Sequence, residues 1–251
     1  MVAMLELIWG EGFMAPGGPG NVSNMVAGLE LRGRQVLDIG CGTGGPALVL
    51  ARDYGARVVG IDLELPLIER ARRRAEAACL AHRIDFLTVE KGTLPFEDAT
   101  FDVVLSAGAF TQTEDKPGMF SECYRVLRPG GTLSCYDWMR SAAPYGAAMR
   151  EWFRLEGLTY ALATLDQHGA LLRDAGFVQV QTRDASDWYR REAAREYEQM
   201  QGALNARMVD LLGPQQARHF LENWRAMLAV CESGEMRQGY YRAQRPVAPG
   251  E

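Results

Sequence analysis

Val36-Leu37-Asp38-Ile39-Gly40-Cys41-Gly42-Thr43-Gly44-Gly45 decides the fold. The short apolar run Gln35–Ile39 stops at Gly40 and reads as a buried strand. Glycines directly after a buried strand let the backbone turn tightly and approach a ligand closely. Ala47–Asp53 then reads as a helix that starts from this loop. The alternation continues outward. Arg57–Ile61, Arg83–Val89, Phe101–Ser106 and Gly131–Asp137 read as strands, and Pro66–Leu80 and Lys116–Leu127 as helices. The second helix stops at the breaker cluster Arg128-Pro129-Gly130-Gly131. Continuous apolar strands alternating with amphipathic helices predict an α/β chain with a parallel sheet covered on both faces.

The later half changes character. Thr164–Ala175 reads as a helix capped by Gly176, and Phe177–Thr182 as a sixth strand. Asp184–Ser233 carries no strand signal and predicts two or three helices. Met236–Arg242 reads as a last, antiparallel strand, with the preceding helices over the rim as a lid.

Composition narrows the function. The 251 residues are 47% hydrophobic and 24% charged, with a net charge of -5, which excludes a disordered or collagen-like chain. A nucleic-acid binder needs a basic face to neutralise phosphates. Here the densest basic run, Arg70–Arg74, has Glu69 before it and Glu76 after it, so it reads as a solvated helix face. No apolar run reaches the ~18 residues that span a bilayer. Met1–Gly10 is apolar but carries Glu6 and lacks a basic start, unlike a secretion signal. Cys41, Cys79, Cys123, Cys135 and Cys231 show no C-x-x-C spacing, and His82, His168 and His219 complete no metal set, so no metal site is expected. Reduced thiols point to the cytoplasm.

Gly40, Gly42 and Gly45 satisfy G-x-G-x-x-G, the dinucleotide pattern, which alone is a weak signal. Two acids turn it away from a dinucleotide. Asp38, at the strand end, would repel a pyrophosphate and suits a cationic group. Asp62, ending the second strand, can take both hydroxyls of a ribose through charged hydrogen bonds worth ~1.5–3 kcal/mol each. A ligand with a ribose, a cation and no phosphate is S-adenosylmethionine.

The loop, Asp62 and the alternation resemble the class I S-adenosylmethionine-dependent methyltransferases over about Gln35–Thr182. Leu94-Pro95-Phe96 before Phe101-Asp102-Val103-Val104, and Val126 through Gly131, are further matches. The resemblance implies a Rossmann-like, seven-stranded, mostly parallel sheet with helices on both faces. It divides one structural domain into an N-terminal flap (1–30), a cofactor-binding part (31–183), a helical lid insertion (184–235) and a last strand with tail (236–251). It also implies cofactor roles: Asp38 near the methionine amine, Gly40, Cys41, Gly42 and Gly44 as a floor, Asp62 on the ribose and Leu63 beside the adenine. Glu90 replaces the usual Asp that accepts from the adenine amino group, which shifts that contact toward Lys91 or Gly92. Ser106 and Ala107 flank the methionine moiety, and the spent product is S-adenosylhomocysteine.

Glu6 through Gly18, with its aromatic and Gly/Pro residues, is similar to the N-terminal segment of the phosphoethanolamine and the sarcosine/dimethylglycine N-methyltransferases, and the helical insertion and the ending Gly239-Tyr240-Tyr241 resemble those of the phosphoethanolamine enzymes. The acceptor residues of that group are altered. Its Asp and His after the fourth strand become Gly108 and Gln112, the Tyr that partners the His falls at Leu5, a phosphate-binding Arg falls at Leu158, and a Tyr becomes Trp138, while Tyr160 is retained. A neutral nitrogen nucleophile needs no base. The expectation is therefore a small amine or nitrogen heterocycle held by Gln112 and packed on Trp138, Tyr160, Trp9 or Phe13, with aromatic faces favouring the growing positive charge. Asp137 is a base, an orienting acid or a helix cap. Oxygen or sulfur acceptors, a non-catalytic S-adenosylmethionine binder and a dinucleotide enzyme are the alternatives, with neither nucleic acid nor membrane as partner and a monomer or homodimer left open.

Overall fold

A computed structural model describes residues 1–158 and 160–247; positions 248–251 of the expected tail lie outside them. Seven strands form one sheet: β1 Gln35–Ile39, β2 Arg57–Asp62, β3 Ile84–Thr88, β4 Phe101–Ala107, β5 Leu127–Arg140, β6 Val178–Asp184 and β7 Met236–Gln244. Their order is β3-β2-β1-β4-β5-β7-β6, and only β7 runs against its neighbours. The apolar runs became strands because both faces are covered, so alternate side chains enter two separate cores. Val36, Val58, Val103, Leu105 and Tyr136 pack into one, and Leu37, Ile61, Val104, Leu133 and Cys135 into the other.

Helices α1 Val2–Trp9, α2 Gly18–Val26, α3 Gly45–Asp53, α4 Leu65–Ala77, α5 Lys116–Val126, α6 Ala147–Glu156, α7 Leu165–Asp174, α8 Ser186–Gln201, α9 Asn205–Leu212 and α10 Pro214–Glu232 complete the described residues. The expected lid is α8 to α10. It is an integral cover of one sheet face: Tyr189, Ala193, Met208, Phe220 and Trp224 all enter the larger core. α8 rests on β7, α10 on α6, and α9 meets α1.

Two sequence expectations shift. The breaker cluster ends α5 but does not delay β5, which begins at Leu127 instead of Gly131. Gly130, at φ +77, lets the strand bulge there, and its N–H donates to the Arg245 carbonyl at 2.9 Å. Helix α4 stops at Ala77 rather than Leu80, with Cys79 at φ +56. The match at Leu94-Pro95-Phe96 is held in place by Arg125, which donates to the Phe96 carbonyl at 2.7 Å and the Leu94 carbonyl at 3.0 Å.

Candidate functional site

In an open α/β sheet, ligands bind beyond the carboxyl ends of the strands. At that edge the glycine loop spends its own amides. The N–H groups of Gly40 and Cys41 donate to the Ile61 carbonyl at 2.8 and 3.0 Å, and that of Gly44 donates to Cys41 at 2.9 Å. The Gly42 N–H donates to Asp62 Oδ2 at 2.9 Å. The Gly45 N–H, at the start of α3, donates to the Gly12 carbonyl at 3.0 Å. A pyrophosphate site needs such donors turned outward; these are turned inward.

Asp38 is fully buried beside the loop, and its Oδ2 finds no partner among the described residues. Burial, reinforced by the Asp62 carboxylate, pushes its pKa up to about 7. A buried acid of this kind is costly to ionise unless a partner is supplied. Asp62 also accepts from the Glu64 N–H at 3.1 Å. One lone pair on each of its oxygens remains free.

The N-terminal segment lies directly on this loop. Thr43 Oγ1 donates to Glu6 Oε1 at 2.7 Å, and Arg74 pairs with the same carboxylate at 2.8 Å while donating to the Thr43 carbonyl at 3.1 Å. A side chain on Gly45 would meet the Gly12 carbonyl at 2.5 Å and the Phe13 ring at 3.1 Å, and one on Gly42 would meet Met14 Sδ at 3.1 Å. The flap therefore needs bare backbone beneath it.

Beyond β4, a 3₁₀ turn spans Ala109–Gln112. Thr111 in this turn joins three segments. Its N–H and hydroxyl donate to Asp137 Oδ1 at 3.0 and 3.1 Å, its hydroxyl oxygen accepts from the Trp138 N–H at 3.2 Å, and its carbonyl accepts from the Ala161 N–H at 3.0 Å. Tyr241 donates to Asp137 Oδ2. Lys116 Nζ donates to the Thr113 carbonyl at 2.8 Å and to the Ala161 carbonyl. Asp137 is fully buried, and burial raises its pKa to about 7 against the pull of Tyr241, Thr111 and Lys116.

The aromatic residues form a connected wall. Trp138 lies 5.7 Å from Trp152, 5.9 Å from Tyr160 and 6.1 Å from Tyr189, centroid to centroid. Tyr160 stacks on Trp152 at 5.3 Å and donates to Glu156 at 2.8 Å, which carries the restraint through Asn223 to the Trp152 indole. Burial, with the Glu156 carboxylate beside it, raises the Tyr160 pKa.

With the site in view, the comparisons point to a methyltransferase domain. Residues 36–131 match the family model described as a methyltransferase domain. Phosphoethanolamine N-methyltransferase 1 of Arabidopsis thaliana is 30% identical over 241 residues, 96% of this chain and 48% of the relative. The chain carries a methyltransferase domain and is similar to the phosphoethanolamine N-methyltransferases. It spans about half the length of the curated relatives it matches. Phosphoethanolamine N-methyltransferase 2 of Haemonchus contortus, solved with phosphomonomethylethanolamine and S-adenosylhomocysteine, shares its fold with a TM-score of 0.90 at 22% identity, over 98% of this chain and 57% of that one. A putative sarcosine dimethylglycine methyltransferase of Galdieria sulphuraria shares it with a TM-score of 0.79 at 22% identity, over 91% and 85%.

Within this family frame, the expected cofactor residues Asp38, Gly40, Cys41, Gly42, Gly44 and Asp62 gather at one loop, and Ser106 and Ala107 end the neighbouring β4. Leu63, Glu90, Lys91 and Gly92 lie exposed on the rim after β2 and β3. Trp138 and Tyr160 share the aromatic wall.

Four acceptor-side expectations are corrected. Trp9 is buried and donates to Glu196 Oε1 at 2.7 Å, so it ties α1 to α8 inside the core instead of facing a substrate. Phe13 packs on Gly45, over the loop rather than on the aromatic wall. Gln112 is exposed at the end of its turn, so this one of the four is corrected only in its packing: it stands free of the aromatic wall's buried members. Asp137 caps no helix, because β5 runs on to Arg140, and both its oxygens are bound, which makes it an anchor of the turn and not a base.

Thr111, Lys116 and Tyr241 were missed. Thr111 and Lys116 carry no signal in sequence, and Tyr241 only its place in the Gly239-Tyr240-Tyr241 ending. Thr111→Val is expected to lower stability by ~1–3 kcal/mol in urea unfolding, because it strips a donor from buried Asp137, whereas Thr111→Ser keeps the bond and stays near wild type.

Proposed function

We propose that this chain transfers the methyl group of S-adenosylmethionine to a nitrogen of a small, uncharged acceptor, an amine or nitrogen heterocycle, in the cytoplasm. The observation that carries the donor half is the inward-turned loop beside an unpartnered, buried Asp38 carboxyl. Such a loop offers a phosphate nothing, and such an acid favours an ammonium group. The residues present fit the donor. Asp38 would hold its amino-acid cation, and Asp62 would accept from both ribose hydroxyls while its Gly42 and Glu64 bonds keep the carboxylate oriented. Met14, on Gly42, and Ala15, beside Gly108, would close the cleft from above.

When bound, S-adenosylmethionine supplies an electrophilic methyl on a sulfonium. The chain's part is alignment: holding two reactants in line is worth ~7–11 kcal/mol in favourable cases. Thr111 fixes the turn, the Trp138 backbone and the Tyr160 segment relative to one another. Trp138 and Tyr160, the partly exposed members of the wall, would support positive charge developing on the acceptor by ~0.5–2 kcal/mol, with the buried Trp152 and Tyr189 packed behind them. Phosphoethanolamine is a poor candidate for the acceptor: Leu158 is exposed and apolar where the similar family carries its phosphate-binding Arg. The five cysteines are all free, and no helix among the described residues is long and apolar enough to cross a membrane.

Calorimetry tests the donor half. S-adenosylhomocysteine is expected to bind one per chain, with no heat from NAD at the same concentration. Tight NAD binding without S-adenosylhomocysteine binding would falsify it. A panel of methylated amines and nitrogen heterocycles, scored for S-adenosylhomocysteine release, then tests the acceptor half.

A further inference from the structure

Gln238 sits in the middle of β7, 1% exposed, and neither its side-chain oxygen nor its nitrogen has a partner among the described residues. A buried amide with four unmet hydrogen bonds is costly, and natural chains keep such groups for a reason. Its backbone is held firmly. The N–H donates to Ser186 Oγ at 3.1 Å, and the carbonyl accepts from the Ala185 N–H at 2.8 Å.

Its surroundings say what it serves. Gln238 lies opposite Trp138 in the β5–β7 register, so it shares a face with the aromatic wall. Strand alternation puts it on the same side as Tyr240, whose ring is 5.0 Å from that of Tyr136. Tyr136 is fully buried, and its hydroxyl is also unpartnered among the described residues. A groove of ≈ 390 Å³ opens to solvent beside this strand, lined by Arg183, Asp184, Asp187, Trp188 and Tyr240 together with Arg237, which precedes Gln238, and Ala185 and Ser186, which bond its backbone. The charges of its lining balance, Arg183 and Arg237 against Asp184 and Asp187, with Arg237 3.6 Å from Asp184 and Arg183 4.1 Å from the Tyr240 ring centroid. A guest without net charge suits a balanced lining.

We propose that Gln238 selects the methyl acceptor, its amide pairing with a ligand edge that presents a hydrogen-bond donor beside an acceptor, as in a carboxamide, a lactam or an amino-azine, with the Tyr136 hydroxyl alongside. The inference rests on the methyl-transfer reading above and deepens it. A single amide offers one donor and one acceptor side by side, so it reads such an edge in a bidentate way and rejects a plain amine or a ring without the second group.

Gln238→Leu, with Gln238→Met as a second variant of similar volume, separates the outcomes. The probes are 2-aminopyridine and pyridine, titrated by calorimetry at pH 8.5, where both are neutral, against the protein saturated with S-adenosylhomocysteine. Wild type is expected to bind 2-aminopyridine at least tenfold more tightly than pyridine, and both variants to lose that preference. S-adenosylhomocysteine affinity stays within twofold. The melting temperature of the ligand-free variants rises by ~2–4 °C, because an unpaired buried amide is gone and no partner is lost. Three results overturn the proposal: a variant melting temperature that falls, as it would for an amide with structural partners; a 2-aminopyridine preference that survives in the variants; or a wild type that does not discriminate the two probes. Failure of wild type to bind S-adenosylhomocysteine sinks the methyl-transfer reading instead, and the melting comparison still decides the role of Gln238.

Discussion

Asp38→Asn is expected to weaken S-adenosylhomocysteine binding by ~10- to 100-fold at pH 8, the loss of one charged hydrogen bond of ~1.5–3 kcal/mol, while making the ligand-free protein more stable. The two effects share a cause. Asp38 is fully buried with one oxygen unpartnered, and its pKa is raised from 3.8 to about 7 by burial and then by Asp62. An acid raised in the folded state keeps its proton there and releases it on unfolding. Its stabilising contribution is therefore present in full below 3.8 and is lost as pH rises through about 7. At pH 8 the wild type holds a buried carboxylate, a burden on the order of 4 kcal/mol for a shift of this size. Asparagine never carries it. Thermal melts from pH 5 to 9 are expected to show the variant gaining on wild type with rising pH. Asp137, near 7, and Glu196, near 8, titrate in the same window, so the comparison with wild type, not the slope alone, isolates Asp38. Binding carries the opposite sign: wild-type affinity for the amino-acid cation climbs toward pH 7 and flattens, and the variant shows no such climb. An Asn variant that binds as tightly as wild type at every pH removes Asp38 from the site.

The cofactor half was legible in the sequence because backbone requirements wrote it. A strand that is apolar throughout, glycines where the chain turns left-handed and an acid at each strand end are local signals, and β1, the loop and β2 fell where they were read. The acceptor half depends on contacts across the whole chain. Trp9 reads as a flap aromatic until its partner Glu196 is placed, 187 positions away. Gln238 gives no local sign of burial; the helices that pack on β7, α8 and α10 among them, cover the strand. Helix α6 was not foreseen at all. It has no side-chain cap, follows Gly146, and owes its place to packing against α10. The bulge at Gly130 likewise looks like a stop until the Arg245 segment pairs with it.

Gly40→Ala is expected to abolish measurable S-adenosylhomocysteine binding and to lower the melting temperature, and Ala109→Gly in the same chain to restore most of both. Gly40 is where the loop after β1 meets the turn after β4. Its φ of +72 costs a side-chain-bearing residue ~1–2 kcal/mol. The larger penalty is steric. A Cβ at position 40 would lie 2.3 Å from the Ala109 Cβ, far inside contact distance, but an ordinary 3.6 Å from the Ala109 Cα. The turn would have to move, and with it Thr111, whose bonds to Asp137, Trp138 and Ala161 hold the acceptor side in register. Loop and turn would thus lose alignment together, and displacements of about 1 Å at a reacting site cost as much as 100-fold in rate. Removing the Ala109 methyl clears the clash and leaves only the backbone strain, so the double variant should bind S-adenosylhomocysteine within ~10-fold of wild type, the residue of that ~1–2 kcal/mol. Calorimetry on the two single variants and the double variant measures this directly. If Gly40→Ala alone binds normally, or if Ala109→Gly rescues nothing, then the loop and the turn are not joined at this contact, and the coupling of donor to acceptor must run elsewhere.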